Sequence, residues 1–229
     1  MKKKVIILSG AGVSAESGIK TFRDADGLWE GHDVMAVASP EGWRNDQKLV
    51  LNFYNERRKQ LLAVTPNSAH QDIAALEEKY EVVVITQNVD DLHERGGSTK
   101  IIHLHGELLK VRSTGNSELI YDWAKDLNKD DRCADGYQLR PHIVWFGEAV
   151  PKLEEAIIEI ENADIVIIIG TSMQVYPAAS LISYAPSFSK KIYIDPKPSI
   201  SIDEAKAMNL EIVAMKATEG MKKLLEELI

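Results

Sequence analysis

Apolar positions along this 229-residue chain come in short runs separated by amphipathic stretches. Val5–Leu8, Val82–Ile85 and Ile165–Ile169 are unbroken by polar residues, the pattern of strands buried on both faces. Shorter segments at 100–106, 191–195 and 211–214 predict further strands, and 143–146 reads as an extended apolar segment. Helical periodicity predicts helices over 47–62, 66–79, 152–162, 178–185 and 218–228, with Asn67 or Ser68 capping the second. Alternation of strand and helix gives an α/β chain with a Rossmann-like, doubly wound parallel sheet. There is no internal repeat or low-complexity tract.

Two stretches depart from the alternation. Residues 20–42 carry Gly, Pro, Asp, Phe22 and Trp29 without a strand period, and read as a long loop lying as a lid over the preceding turn. Residues 107–140 are polar and broken by Ser, Asn, Asp and Gly, as expected of a small inserted module. Cys133 is the chain's one cysteine, and this stretch holds no histidine, so a structural zinc, which needs about four paired ligands, is not expected.

The first strand runs into Gly10-Ala11-Gly12-Val13-Ser14-Ala15, which fits G-x-G-x-x-[G/A]. In that motif the first glycine permits the turn, the second admits a pyrophosphate, and the small residue lets a following helix pack closely. Such a helix offers free N–H groups to an anion. A hydride-transfer enzyme would add a second strand ending in an acidic residue within about 20 positions. Residues 20–42 supply none, so the pattern predicts a dinucleotide held under a lid rather than a dehydrogenase site.

In the helix over 47–62, Val50, Phe53, Tyr54 and Leu61 share one stripe with Arg57, while Glu56, Arg58 and Lys59 fall outside it. An arginine on an inner face needs an anionic partner. It is either a snorkelling or internally paired side chain or, with Tyr54 three residues before it, a carboxylate- or phosphate-binding pair. His70 reads as structural. Gln87, Asn88 and Asp90 follow a buried strand, where ligands of open sheets sit, though Asn88 or Asp90 could equally cap the next helix. His103 and His105 alternate onto one face of their strand, and periodicity does not choose between them. Gly170-Thr171-Ser172 ends another buried strand as a second potential ribose or phosphate contact.

Composition narrows the class. A net charge of −8 argues against a nucleic-acid footprint. One cysteine excludes an internal disulfide framework and fits a reducing compartment. Four apolar residues after Met-Lys-Lys-Lys are too few for a signal-peptide core, and no run approaches a membrane span, so a cytoplasmic protein is expected.

GAGVSAESGIKTFR (10–23), TQNVDDLHERGG (86–97), HLHGEL (103–108), RPHIVWFGE (140–148) and GTS (170–172) together resemble the sirtuin family of NAD-dependent protein-lysine deacylases, from about residue 5 to 217. The resemblance implies one catalytic domain. Its Rossmann-like part would take about 1–30, 65–105 and 145–229, its lid and acyl-pocket helices about 20–64, and its small module about 106–142. NAD would be a co-substrate, contacted by Gly10, Ala11, Gly12, Glu16, Thr21, Phe22 and Arg23. Gln87, Asn88 and Asp90 would serve the nicotinamide ribose, and Gly170, Thr171, Ser172, Asp195 and Ala217 the adenosine. His105 would be the catalytic histidine, with Asn88 and Asp90 beside it. Val144, Trp145, Phe146, Gly147 and Glu148 would pair with an extended acyl-lysine peptide through main-chain bonds.

The Tyr54-x-x-Arg57 pair is similar to that of the sirtuin branch acting on succinyl-, malonyl- and glutaryl-lysine, which implies such a preference with weaker deacetylation. Relatives often carry two cysteine pairs for a structural zinc. Here Ser113 and Asn116 stand at the first pair, and Cys133 alone remains of the second. Other readings of the same site are a mainly deacetylating enzyme, a mono-ADP-ribosyltransferase and an NAD-sensing binding protein.

Overall fold

The structure, a computed structural model, describes residues 2–20, 28–29 and 31–228. Strand β1 (Lys4–Ser9) is followed by two 3-10 turns, Ala11–Val13 and Ala15–Ser17. A short ribbon of β2 (Leu28–Trp29) and β3 (His32–Asp33) leads into α1 (Val34–Val37), α2 (Pro40–Asn45) and α3 (Gln47–Ala63). Then come α4 (Ser68–Ala75), β4 (Glu81–Thr86), α5 (Leu92–Gly96) and β5 (Ile101–His103). Strands β6 (Gly106–Ser113), β7 (Ile120–Asp122) and β8 (Leu139–Ile143) form a separate antiparallel sheet in the order β7-β6-β8. The chain closes with α6 (Leu153–Ile160), β9 (Ile165–Ile169), a 3-10 segment (Ala178–Tyr184), β10 (Lys190–Ile194), α7 (Ile202–Ala207), β11 (Leu210–Val213) and α8 (Ala217–Leu228).

The main sheet has six strands in the order β11-β10-β9-β1-β4-β5, every pair parallel. The chain runs outward from β1 through β4 and β5, then returns to the other side of β1 and runs outward through β9, β10 and β11. That reversal between β1 and β9 opens a crevice at the carboxyl ends of the strands. Both sheet faces are covered, which is why the strands are apolar throughout. Ile6, Leu8, Ile85 and Ile168 pack with α6 residues Ala156 and Ile160 and with Leu181, while Val5, Ile7, Val84 and Ile167 pack with Ile73 of α4 and Met221 and Leu224 of α8.

Three expectations are corrected here. No α-helix follows the glycine turn; the chain makes two 3-10 turns, and Ala15 is exposed rather than packed on the strand. The lid stretch is not all loop. Its described part contains the ribbon, α1 and α2, started by the Asp33 carboxylate accepting from Met35 N (2.8 Å) and the Ser39 hydroxyl from Gly42 N (2.9 Å). Helices of four and six residues are too short to show a period.

The third correction concerns α3, which buries more than one stripe. Arg58, placed outside by the periodicity, is 1% exposed. Its Nε donates to Leu108 O (3.1 Å) and its Nη1 to Asn55 Oδ1 (2.8 Å), while Asn55 Nδ2 donates to Leu127 O (3.0 Å). The small sheet packs on this second flank of α3, and Arg58 ties the two together. Burial pulls its pKa down to about 10, against the attraction of Asp126, so the cation persists at neutral pH.

The positions matching the zinc cysteines of relatives do not fit a metal. Ser113 Oγ donates to Asp135 (3.0 Å) and accepts from Gly115 N and Asn116 N. Cys133 Sγ donates to Asp135 and lies beside Tyr137 O. A hydrogen-bonded knot around the Asp135 carboxylate therefore holds this end of the module. Among the described residues no three His, Cys, Asp or Glu side chains gather as a metal site, and no helix is long and apolar enough to cross a membrane.

Candidate active site

A cavity of about 730 Å³ opens over the crevice between the main sheet and the α3–small-sheet layer. Its floor is formed by strand ends: Gly10 and Ala11 after β1, Gln87 to Asp90 after β4, Gly170 to Ser172 after β9 and Asp195 after β10. Tyr54 and Arg57 of α3 and the segment Val144–Glu148 complete the other side. These predicted residues are thus brought together. Thr21, Phe22 and Arg23 lie outside the described residues.

Gly12, Glu16 and Ala217 are not among the residues that line the cavity. The Glu16 carboxylate accepts from Thr218 N (3.1 Å) and the Thr218 hydroxyl (3.0 Å), so it caps the start of α8. Gly12 is a glycine because of another loop. Its N–H donates to Gly170 O (2.7 Å), and a Cβ on it would stand 2.6 Å from Gly170 Cα. Gly170 has φ 61°, and a Cβ there would meet Val13 N at 2.2 Å. A Cβ at Gly10 would reach Thr171 Cβ at 2.7 Å. The two glycine turns are thus packed backbone to backbone.

His103 and His105 differ in their partners. β5 ends at His103, so the two do not simply alternate along one strand. His103 bonds Asn88 O (3.2 Å) through Nδ1 and Glu94 (2.7 Å) through Nε2. Burial works against its charge, but the bond and charge of Glu94 prevail and hold its pKa above the ordinary value. Both of its ring nitrogens are thus occupied by protein partners. His105 lines the cavity, and its Nδ1 lies 3.0 Å from Gln87 O. A carbonyl can only accept, so Nδ1 carries the proton and Nε2 keeps its lone pair for the cavity. Burial lowers the His105 pKa, with the Gln87 bond opposing, which favours the neutral base.

Beneath the floor lies a polar network with one member that the sequence reading passed over. Ser14 Oγ donates to Asp90 Oδ2 (3.0 Å), accepts from Asn88 Nδ2 (3.2 Å) and meets His70 Nε2 at 3.4 Å. Its position inside the glycine motif was the available signal. Asp90 Oδ1 accepts from Leu92 N (3.2 Å) at the start of α5, and the residue also lines the cavity. Burial raises its pKa to about 6, against the bonds from Leu92 N and Ser14. His70 is structural as expected, fully buried and bonded to its own helix cap, Asn67. Gln87 Nε2 donates to the Thr171 hydroxyl (3.1 Å), joining the two strand-end loops.

Four N–H groups of the segment Val144–Glu148 have partners within the chain. Val144 N donates to His105 O, Trp145 N to Glu148 Oε2, Phe146 N to Ala38 O and Glu148 N to Trp145 O. Glu148 itself is clamped by Arg140 (2.7 Å) and Arg112 (3.2 Å), whose bonds and charges outweigh its burial and hold its pKa low. The turn is braced from within because Gly147, at φ 88°, folds it back on itself.

The Sir2 family model matches residues 10–177. An NAD-dependent protein deacylase of Helicobacter pylori (strain ATCC 700392 / 26695) is 57% identical over 227 residues, covering 99% of this chain and 98% of its own. One from Bacteroides thetaiotaomicron is 51% identical over 233 residues, with 99% and 98% covered. Among solved structures, a Sir2 homolog–NAD complex aligns with TM-score 0.86 at 39% identity, covering 99% of this chain and 90% of that one. Sir2 bound to acetylated peptide aligns with TM-score 0.80 at 30% identity, with 99% and 93% covered.

Proposed function

The chain belongs to the Sir2 family of NAD-dependent protein deacylases, and on that premise we propose that it removes acidic acyl groups, succinyl and malonyl before acetyl, from protein lysines. The observation that carries the acyl preference is that Tyr54 and Arg57 of α3 line the same cavity as His105. A guanidinium can take a carboxylate through two parallel hydrogen bonds, and a phenol can add a third. An acetyl group offers neither charge nor acceptors there.

NAD supplies an activated ribose and nicotinamide as its leaving group. Gly10, Ala11, Gly170, Thr171, Ser172 and Asp195 would hold its adenosine and phosphates. Gln87, Asn88 and Asp90 would hold the nicotinamide ribose, with Ser14 orienting the last two. His105 Nε2 acts as general base on a ribose hydroxyl, its ring fixed by Gln87 O. The products are deacylated lysine, nicotinamide and 2′-O-acyl-ADP-ribose.

The test is a panel of acetyl-, malonyl-, succinyl- and glutaryl-lysine peptides with NAD, read by nicotinamide release and product mass. The expected order places the acidic chains first. Modified protein in place of free lysine would mark an ADP-ribosyltransferase, and absence of turnover on every peptide an NAD-binding protein.

The site also sets a pH profile. Burial lowers the His105 pKa and so favours its neutral form, while Asp90, raised to about 6, loses its charge as pH falls through that value. Both active forms are therefore present above about pH 7, and kcat/KM falls as pH drops through about 6. An acid limb centred at or above about pH 7 would show that neither group has the assigned state.

A further inference from the structure

We propose that Trp145 is a positioning residue for acyl specificity: its indole N–H occupies an acceptor site on the Tyr54 hydroxyl and so directs that hydroxyl's own proton to the acidic end of the acyl chain. The proposal rests on the acidic-acyl reading above and adds to it a reason for the phenol's direction. Trp145 Nε1 donates to Tyr54 Oη at 3.0 Å, with both side chains buried. An indole can only donate, so the phenol must accept here and is left as a donor toward its remaining partner. Tyr54 borders the cavity with no exposed surface of its own, so that partner would have to stand directly against the cavity wall.

The rest of the surroundings keep Trp145 in place. The Arg140 guanidinium lies 3.3 Å from the centre of its ring, and the Trp43 ring is 5.7 Å away. Its backbone N–H is held by Glu148 (2.9 Å), which Arg140 and Arg112 hold in turn. Burial pushes the Tyr54 pKa well above the ordinary phenol value, so the hydroxyl keeps its proton throughout the working range. A carboxylate can accept that proton, whereas a methyl group leaves it without an acceptor.

Trp145→Phe keeps an aromatic ring for Arg140 and removes only the N–H and part of the ring area. The ratio of kcat/KM for succinyl- over acetyl-lysine peptide is expected to fall by about tenfold, through a higher KM for the succinyl peptide. A second form with benzothienylalanine at 145, which keeps the bicyclic shape without the N–H, should reproduce the fall and guards against a folding defect. In a Tyr54→Phe background the same replacement should change the ratio by less than about twofold, because its hydroxyl partner is gone. An unchanged ratio in both forms, or an equal effect with and without the Tyr54 hydroxyl, overturns the assignment. A parent enzyme without acidic preference overturns this inference together with the reading beneath it; a parent that has the preference and keeps it without the indole N–H overturns this inference alone.

Discussion

A His105→Ala variant is expected to deacylate about 10²- to 10⁴-fold more slowly than the parent while binding NAD with similar affinity. The ring's place at the cavity gives this expectation its size. Nδ1 is committed to Gln87 O, so the proposed base is Nε2, in a half-buried site where an incoming water would not reproduce its direction. Binding is spared because the strand-end loops that would hold the cofactor are tied to one another through Gln87 and Thr171, without the imidazole. Free lysine formation by mass spectrometry and NAD affinity by calorimetry separate the two effects. A near-normal rate would remove His105 from the chemistry and return attention to Asp90.

Arg57→Met is expected to lower kcat/KM on succinyl-lysine peptide by about 10²-fold, and on acetyl-lysine peptide by a much smaller factor. A hydrogen bond to a charged group contributes about 1.5–3 kcal/mol, and tenfold corresponds to about 1.4 kcal/mol, so two such bonds with some compensation give that scale. Methionine keeps length and apolar contact, including contact with the Phe53 ring that the Arg57 guanidinium faces at 5.3 Å. What disappears is the fork for a carboxylate. Equal losses on both peptides would make Arg57 a structural residue of α3 and remove the basis for an acidic preference.

The sheet was legible because its strands are buried on both faces and therefore read as plain apolar runs. The outer layers were less so. α3 was found by its period, but the period showed one buried stripe where the structure has a broader face. Arg58 is buried by a partner, the β6 backbone at Leu108, that lies 50 residues on. Local patterning carries no information about such a contact. The same limit explains Glu16. Its match to a cofactor motif is real, yet its carboxylate is committed to Thr218, 202 positions away. His103 and His105 show the converse: two residues apart and alike in sequence, they are separated by what they bond. The carbonyl of Gln87 leaves His105 Nε2 facing the cavity, while Asn88 O and the carboxylate of Glu94 take up both nitrogens of His103.

The packing of the two glycine turns also bears on how this chain can change over generations. A side chain arriving at residue 12 meets the Gly170 backbone, and one arriving at residue 170 meets Val13 N. The obstructing atoms are main chain, so no neighbouring rotamer can yield, and no residue smaller than glycine exists to compensate. Substitution at either position is closed to a drifting lineage whatever it does to nucleotide affinity. A descendant that had lost the cofactor altogether would keep these glycines, and its activity would have to be judged from His105 and Arg57 instead.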